Sequence, residues 1–554
     1  MTGGYYDLGA HSRPVACATA DAQTWFDRGL NWIFGFNHDE AKRCFERATG
    51  ADPDCAMAHW GLGYAHGPHV NKDWHFYADE ELVVCLPLMH ESAQRAIALS
   101  ADGDPVEHAL ALALLARYPQ PDPPDLATMV SWHDAFADAM RDAHHTNPDD
   151  GDVASVFVES MMMRTPWRLW DLTSGEVGAG ASTDEMVRVL QATGGLNPAD
   201  RRLHPGLLHM AIHTVEMSPT PERGLPAADA LRNLVPDAGH LQHMPSHIDV
   251  LLGRYAQAVT ANELAVATDL RYLAEVGPYG QYSADICHNN HLLMYAAMLM
   301  GRWQPAIDAA DRIWALVTPG VLDASTPVFA MKLEGYVSMR MHVFVRFGRW
   351  NEIIAQPPPA DPECYPITSV MHHYATAIAH ASLGDPQAAA AAADRFEGAC
   401  SAIGPDRFLF NNDATAVIDV ARAMLLGEFE YHRGAHREGL EHLRKAVRRG
   451  DELHYTEPWA WMHPPRHALG ALLLEQGQVD EAEQVYREDL GLAPGIPRGN
   501  VHPDNVWALH GLVECLEGRA SVAEEAAVLR LKLDTARRAT DVSVTSSCAC
   551  RGLL

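Results

Sequence analysis

The chain has 554 residues, of which 47% are hydrophobic, and its 42 basic and 72 acidic side chains give a formal charge of −30 at pH 7. Such an acidic chain lacks the excess of basic side chains that binds nucleic-acid phosphates or an anionic membrane surface, so we expect neither as a partner. Its length allows several domains or one long repeat array.

The N-terminal residues lack the basic start and apolar run of a secretory signal. No stretch of the sequence reaches the roughly 18 uncharged apolar residues that a membrane span requires. We therefore expect a cytoplasmic protein whose residues 1–21 form a flexible N-terminus. The 10 cysteines are scattered and include no CxxC pair, so in a reducing compartment we expect them to be thiols.

The segment that begins at Trp25 predicts three helices separated by turns. Gly35 marks the first turn, Ala41 and Phe45 follow at helical spacing, and Pro53 ends the second helix. Small residues where helices cross, with aromatic residues between them, are typical of tetratricopeptide repeats. Similar half-repeats follow, each with a glycine-centred turn, at Gly253, Gly301, Gly348 and Gly384.

The spacing of these turns is uneven, and no segment alternates with a period of two residues, so almost no strand is expected. The pattern predicts an all-α fold, an irregular tetratricopeptide-like α-solenoid of helix-turn-helix repeats. Proline-rich connectors at 117–127 and 355–366 separate its parts. The predicted parts are N-terminal repeats at 22–116, central helical repeats at 128–355, C-terminal repeats at 366–536 and a flexible tail at 537–554.

The 31 histidines are concentrated in the central repeats. Side chains three or four residues apart lie on one helical face, about 5–6 Å apart at Cβ, where two imidazoles can converge on one ion. His209 and His213 have this spacing, as do His288 and His291. The predicted metal ligands are His204, His209, His213, His240, His243, His247, His288 and His291.

Pro245 indicates how one of these clusters is built. Proline suits the first turn of a helix but not its interior, so we place a helix start near Pro245. His247 then lies in the first turn, while His240 and His243 lie on the entering loop and can point inward without breaking helical hydrogen bonds. A hydrogen-bonded polar core and a metal-free proton-handling site remain the alternatives to a metal site.

All-imidazole ligation suits copper, iron, zinc or nickel, and six to eight imidazoles could hold a pair of copper ions. Glu159 and Glu216 are the carboxylates expected to ligate or to carry protons, and ligation by either would favour non-haem iron or manganese. Structural zinc is disfavoured because thiolates at zinc-finger spacing are absent. Trp167, Trp461 and His463 are the residues expected to contact a small-molecule substrate.

Two cysteines of the predicted tail, Cys548 and Cys550, could bind a soft metal. We favour the simpler interpretation that they lie on a disordered end.

Several of these stretches resemble a family of bacterial tetratricopeptide-repeat proteins, over about Trp25 to Ala536. The resemblance implies the repeat fold and a family pattern that includes the histidine clusters, Glu159, Trp167 and Glu457, but it implies no activity. This sequence departs from the family pattern at His69 and His463. The matching stretches include "HPGLLHMAIHTVE", "GHLQHMPSHI", "CHNNHLL", "VESMMMRTPWRLWD" and "YTEPWAWMHPPRH".

Together these features predict an oxidoreductase that uses copper or iron and dioxygen to act on a small organic molecule, with the metal held inside the solenoid. The first alternative is a non-catalytic scaffold that binds a protein partner on the concave surface of the repeats. The second alternative is a hydrolase in which zinc activates a bound water.

Overall fold

A computed structural model describes residues 4–199 and 202–551, and its regular secondary structure is almost entirely α-helical. The chain divides into two compact units. Unit 1 takes the residues up to Ile248 and Ala261–Asn289, and unit 2 takes Asp249–Thr260 and the residues from Asn290 onward. The strands found in the described residues are β1 (Phe408–Leu409) and β2 (Asn412–Asp413), which pair antiparallel.

The connections between the helices range from a single residue, such as Met244, to the 20 residues of 163–182. The first fourteen are α1 (Ala20–Phe34), α2 (His38–Ala51), α3 (Ala56–His66), α4 (Asp79–Ser100), α5 (Pro105–Arg117), α6 (Leu126–Thr146), α7 (Gly151–Met162), α8 (Thr183–Thr193), α9 (Pro205–Glu216), α10 (Leu225–Leu231), α11 (Gly239–His243), α12 (Pro245–Leu251), α13 (Tyr255–Val276) and α14 (Tyr282–Met300). The others are α15 (Trp303–Leu316), α16 (Pro319–Asp323), α17 (Pro327–Ser338), α18 (Arg340–Arg346), α19 (Trp350–Ala355), α20 (Pro366–Ser382), α21 (Pro386–Ser401), α22 (Ala414–His432), α23 (His436–Asp451), α24 (Pro465–Glu475), α25 (Val479–Asp489), α26 (Val506–Leu516) and α27 (Ala523–Arg538).

Short polar side chains start several helices by accepting hydrogen bonds from the otherwise unpaired N–H groups of the first turn. Asn37 accepts from the Glu40 N–H at 3.0 Å and so starts α2. Asp104 caps α5 and is followed by Pro105, which suits the first helical position. None of the described helices combines the length and the apolar content needed to cross a membrane.

Glycines allow the first three helices of unit 1 to pack closely. A Cβ atom on Gly29 of α1 would lie 2.7 Å from the ring of Phe45, which is on α2. A Cβ atom on Gly61 of α3 would lie 2.2 Å from the same ring. Because neither distance is tolerated by real side chains, the close contact of the Phe45 ring with both flanking helices depends on glycine.

The same arrangement recurs in unit 2 around Tyr486 of α25. A Cβ atom on Gly470 of α24 or on Gly511 of α26 would lie 2.4 or 2.1 Å from the Tyr486 ring. The Tyr486 hydroxyl lies 2.6 Å from the hydroxyl of Ser547, which in turn donates to the carbonyl of His467 at 2.9 Å. Ser547 is buried, so this part of the predicted flexible tail is instead packed against the repeats.

The N-terminal residues also differ from the flexible segment that we predicted. Tyr5 donates a hydrogen bond to Glu40 at 2.9 Å and accepts one from the indole N–H of Trp32 at 2.9 Å. Leu8 is buried, and Arg13 donates to Asp150 at 2.8 Å. These aromatic, apolar and charged side chains find partners on unit 1, which explains why the segment is packed.

Buried histidines in both units predict that acid destabilises the fold. Burial lowers the pKa of His342 in unit 2 to about 3, and burial together with the charges of Lys42 and Arg117 lowers the pKa of His38 in unit 1 to about 3. Unfolded histidines have a pKa of about 6.5, so the unfolded chain binds protons first as the pH falls. These histidines therefore do not reduce the free energy of unfolding above about pH 6.5. Below that pH the free energy of unfolding decreases, by about 2 kcal/mol at pH 5 for each such histidine.

Urea unfolding of metal-free protein at about pH 7.5 and about pH 5 measures this loss. His342→Gln should make the loss smaller by about 2 kcal/mol. His145→Gln, at an exposed histidine, serves as the control and should leave the loss unchanged. An equal loss in the wild type and in His342→Gln would contradict the prediction.

Candidate metal centre

Four helices of unit 1 bring six of the predicted histidines into the protein interior. Helix α12 begins at Pro245, as predicted, whereas His240 and His243 lie on the one-turn helix α11 rather than on a loop. Met244 separates the two helices, because Pro245 lacks the N–H group that would continue α11. The six buried histidines are His209 and His213 on α9, His240 and His243 on α11, His247 on α12 and His288 on α14.

Three of these histidines, His243, His247 and His288, converge through their Nε2 atoms. The Nε2 atom of His243 lies 2.7 Å from Nε2 of His247 and 3.0 Å from Nε2 of His288. All three rings are buried, and their ligand atoms lie within 4.8 Å of one another. We refer to these three residues as triad A.

The other ring nitrogens of triad A determine which atoms carry protons. The Nδ1 atom of His247 lies 2.7 Å from a Glu216 oxygen, and Nδ1 of His243 lies 2.6 Å from the side-chain oxygen of Asn262. Both oxygens accept, so both Nδ1 atoms carry a proton, and each ring in its neutral form presents an Nε2 lone pair. Two lone pairs 2.7 Å apart repel each other unless a cation lies between them. This arrangement therefore suits a metal ion.

The remaining three histidines form triad B, which consists of His209, His213 and His240. Their ligand nitrogens also lie within 4.8 Å of one another. His209 donates from Nδ1 to the backbone carbonyl of Phe34 at 2.6 Å, and His213 donates from Nδ1 to Glu216 at 2.6 Å. With the proton on Nδ1, the Nε2 atom of each neutral ring is the one that can ligate a metal ion.

His240 completes triad B with two nitrogens that have no hydrogen-bond partner among the described residues. The Asp285 carboxylate lies 4.0 Å from Nδ1. Burial lowers the pKa of His240 well below its ordinary value, and neighbouring histidines such as His209 and His243 lower it further. The ring is therefore neutral at physiological pH, which is the state that binds metal.

Glu216 connects the two triads. One of its oxygens accepts from His213 of triad B and the other from His247 of triad A. The rings of these two histidines lie 5.5 Å apart, as do the rings of His240 and His243. The two triads thus share one orienting carboxylate, which makes the centre suited to a pair of metal ions. Imidazole nitrogens bind copper, iron or zinc.

Glu159, the other carboxylate predicted for the site, lies outside both triads. One of its oxygens accepts from the Tyr64 hydroxyl at 2.6 Å, and the other has no hydrogen-bond partner among the residues that the structure describes. Burial raises the pKa of Glu159, although the Arg117 guanidinium opposes the increase. The charge that His213 can carry also opposes the increase.

Trp167 is at the edge of triad B, where its half-buried ring lies 5.8 Å from the ring of His213. Its φ of 60° is in the left-handed region, which a bulky side chain rarely adopts. The neighbouring Trp170 donates from its indole N–H to the Thr214 carbonyl at 2.7 Å and attaches this loop to α9. Trp167 thus contacts one histidine of triad B while part of its side chain is exposed to solvent.

Two predicted ligands are not brought into the triads. His204 caps α9 by accepting from the Leu207 N–H at 3.1 Å, and its Nε2 atom lies 3.0 Å from Asp152 in a separate group with His11. His291 belongs to unit 2, where it stacks on Phe410 at 4.9 Å.

Trp461 and His463, predicted to contact substrate, also belong to unit 2 and form a cluster of their own. The Nδ1 atom of His463 lies 3.0 Å from Nδ1 of His342, and the Trp461 ring lies 4.6 Å from the His342 ring. Tyr374 covers the cluster with its ring 5.3 Å from Trp461. Both predicted residues are buried, so their placement supports an internal cluster rather than an open binding surface.

Sequence reasoning missed the groups that orient the histidines. Asn262 lies 19 positions beyond His243, and the carbonyl of Phe34 lies 175 positions before His209. No local pattern connects residues so far apart. The only available signal was for Asn262, a polar residue in an otherwise ordinary repeat helix.

Comparison with known proteins identifies the repeats but no activity. The tetratricopeptide repeat family matches residues 37–66, so the chain contains tetratricopeptide repeats. No curated protein sequence matches the chain at a significant level.

Several solved structures are similar over most of their length. Ypp1 is 8% identical, with 96% of this chain and 89% of Ypp1 covered and a TM-score of 0.41. The Cut9–Hcn1 hetero-tetramer of APC/C is 12% identical, with 94% and 96% covered and a TM-score of 0.26. Yeast Tom70 is 12% identical, with 92% and 96% covered and a TM-score of 0.23. These TM-scores are low, and we base the fold class on the helices and the repeat match, which confirm the predicted all-α tetratricopeptide-like solenoid.

Proposed function

We propose that unit 1 binds a pair of transition-metal ions, one in triad A and one in triad B, and that this centre carries out oxidoreductase chemistry on a small organic molecule. The observation that carries the proposal is the arrangement around His243 and His247. Their Nε2 atoms lie 2.7 Å apart while both Nδ1 protons are donated outward, to Asn262 and Glu216. A cation between these two nitrogens relieves their repulsion, and a metal ion is the cation that three converging imidazoles suit.

The chain's own residues would have distinct tasks in such a centre. The triads would ligate through Nε2, and Glu216 would keep His213 and His247 in the tautomer that ligates. Glu159, with its raised pKa and its hydrogen bond from Tyr64, is suited to hold and deliver a proton. Copper or iron would supply electron transfer with dioxygen, and burial of all six histidines keeps bulk water away.

Metal analysis of tag-free protein tests this proposal. The wild type should contain about two equivalents of copper or iron, one for each triad. His243→Ala and His247→Ala should each lose the ion of triad A. His38→Gln, at a buried histidine of unit 1 outside the triads, is the matched control and should keep both ions.

Other results would redirect or overturn the proposal. Zinc lost in the same two variants would refute the redox part and favour metal-dependent hydrolysis. A wild type that stays empty after reconstitution with copper, iron and zinc would refute the metal centre, as would full metal content in both variants.

A protein-interaction scaffold is the second candidate, and the repeat match at residues 37–66 favours it. The comparisons support this role more directly than they support an oxidoreductase, because repeats of this type are binding modules in many proteins. A scaffold predicts that His243→Ala changes the stability of the protein but neither its metal content nor any dioxygen consumption. Those three measurements on one variant therefore separate the two candidates.

A further inference from the structure

Residues 541–551 of unit 2 are attached to the repeats by several polar contacts. Ser547 is buried, and its carbonyl accepts a hydrogen bond from the guanidinium of Arg346 at 2.5 Å. Arg551 donates two hydrogen bonds to Glu514, both at 2.7 Å. These anchors on both sides hold Cys548 and Cys550 in a fixed position.

A buried carboxylate lies beside the two cysteines. Cys548, Cys550 and Glu428 of α22 place two sulfur atoms and a carboxylate oxygen within 4.8 Å of one another. Glu428 is only 1% exposed, and one of its oxygens has no hydrogen-bond partner among the described residues. The sulfurs are joined in a disulfide, and Cys548 is half-buried, so a reductant in solution can reach the bond.

The charges around this group would be balanced by a divalent cation. Arg346 lines the same cavity as Glu428 and Cys548 and contributes one positive charge. Burial raises the pKa of Glu428 to about 8, although Arg346 opposes the increase, so Glu428 ionises as the cation binds. Two thiolates and one carboxylate then carry three negative charges, which a divalent ion and Arg346 together neutralise. Because unbalanced charge is costly in a buried site, this balance favours a divalent over a monovalent ion. Zinc is a divalent ion that both thiolate and carboxylate ligands bind.

We propose that, once the disulfide is reduced, Cys548, Cys550 and Glu428 bind a divalent thiophilic cation of the zinc class. A small-molecule thiol supplies the two electrons and two protons that convert the disulfide into two thiols, and is itself oxidised to a disulfide. Each cysteine, and Glu428 where it is protonated, then releases its proton to solvent as it binds the cation. This site lies in unit 2 and does not depend on the histidine centre of unit 1.

Cadmium titration of the full chain tests the proposal, since thiolate–cadmium bonds give an ultraviolet charge-transfer band that histidine ligands do not produce. Protein reduced with a phosphine and kept without oxygen should show a band that saturates near about one equivalent. The oxidised protein should show none. Zinc should abolish the band by competition.

Three variants sharpen the test. Cys548→Ser/Cys550→Ser should lose the band, and Glu428→Gln should weaken cadmium binding by at least about tenfold. Cys364→Ser/Cys400→Ser removes two other half-buried thiols of unit 2 and should keep the band. The proposal is overturned if reduced wild type shows no band, or if the band persists without Cys548 and Cys550.

Discussion

Replacing Glu216 by glutamine is expected to remove one of the two metal ions. Glutamine keeps one accepting oxygen but replaces the other with an NH2 group, so either His213 or His247 faces a donor instead of an acceptor. That histidine must move its proton to Nε2, where the proton blocks ligation. Loss of such an orienting partner typically lowers metal affinity about 10- to 100-fold.

Metal content and a chelator titration of Glu216→Gln measure this effect. Glu159→Gln is the matched control, because Glu159 is also buried in unit 1 but bonds to Tyr64 rather than to a histidine. The control should keep both ions with unchanged affinity. If Glu216→Gln also keeps both ions at wild-type affinity, Glu216 does not set the tautomers and the two triads are not coupled through it.

Replacing Asp489 by alanine is expected to lower the free energy of unfolding by about 3–5 kcal/mol. The Asp489 carboxylate is fully buried and accepts from His467, His502 and Asn505, each at 2.9 Å. Alanine leaves all three donors in unit 2 without their acceptor. Burial raises the pKa of Asp489, but the charges and hydrogen bonds of His467 and His502 outweigh burial and hold this pKa well below its usual range.

Urea unfolding followed by circular dichroism measures the loss, with Asp419→Asn as the control. Asp419 pairs with Arg422 at the surface and is 48% exposed, so its replacement should cost less than about 1 kcal/mol. Because the folded-state pKa of Asp489 is depressed, its stabilisation is present above about pH 4 and declines as the pH falls below that value. The difference between wild type and Asp489→Ala should therefore shrink in acid. Equal effects of the two substitutions at neutral pH would contradict the prediction.

Helical spacing predicted much of the candidate centre, because it depends only on residues within one helix. His209 and His213 are one turn apart on α9 and both belong to triad B. His204 lies outside the triads for a local reason, because its ring nitrogen caps the same helix. His291 lies outside the triads for a different reason. Helix α14 passes from unit 1 to unit 2 after Asn289. His291 therefore belongs to unit 2, although it is only three residues beyond His288.

Tertiary partners could not be predicted in this way. The two packed terminal segments and the pairing of Asn262 with His243 depend on contacts between residues far apart in sequence. A flexible end and a packed end can have similar composition when the packed one contributes only a few buried side chains, such as Tyr5 or Ser547. What decides between them is whether complementary groups exist on distant helices.

Unit 1 is built from two separate parts of the chain, so the bounds of an expressed fragment determine which metal sites it contains. Five of the six clustered histidines precede Ile248, but His288 and the supporting Asn262 lie in the second part of the unit, Ala261–Asn289. A fragment that ends at the first boundary would carry triad B complete and triad A without one ligand and one support. A subcloned fragment that is meant to keep both metal sites must therefore extend at least to Asn289 and include residues 249–260, although these belong to the other unit.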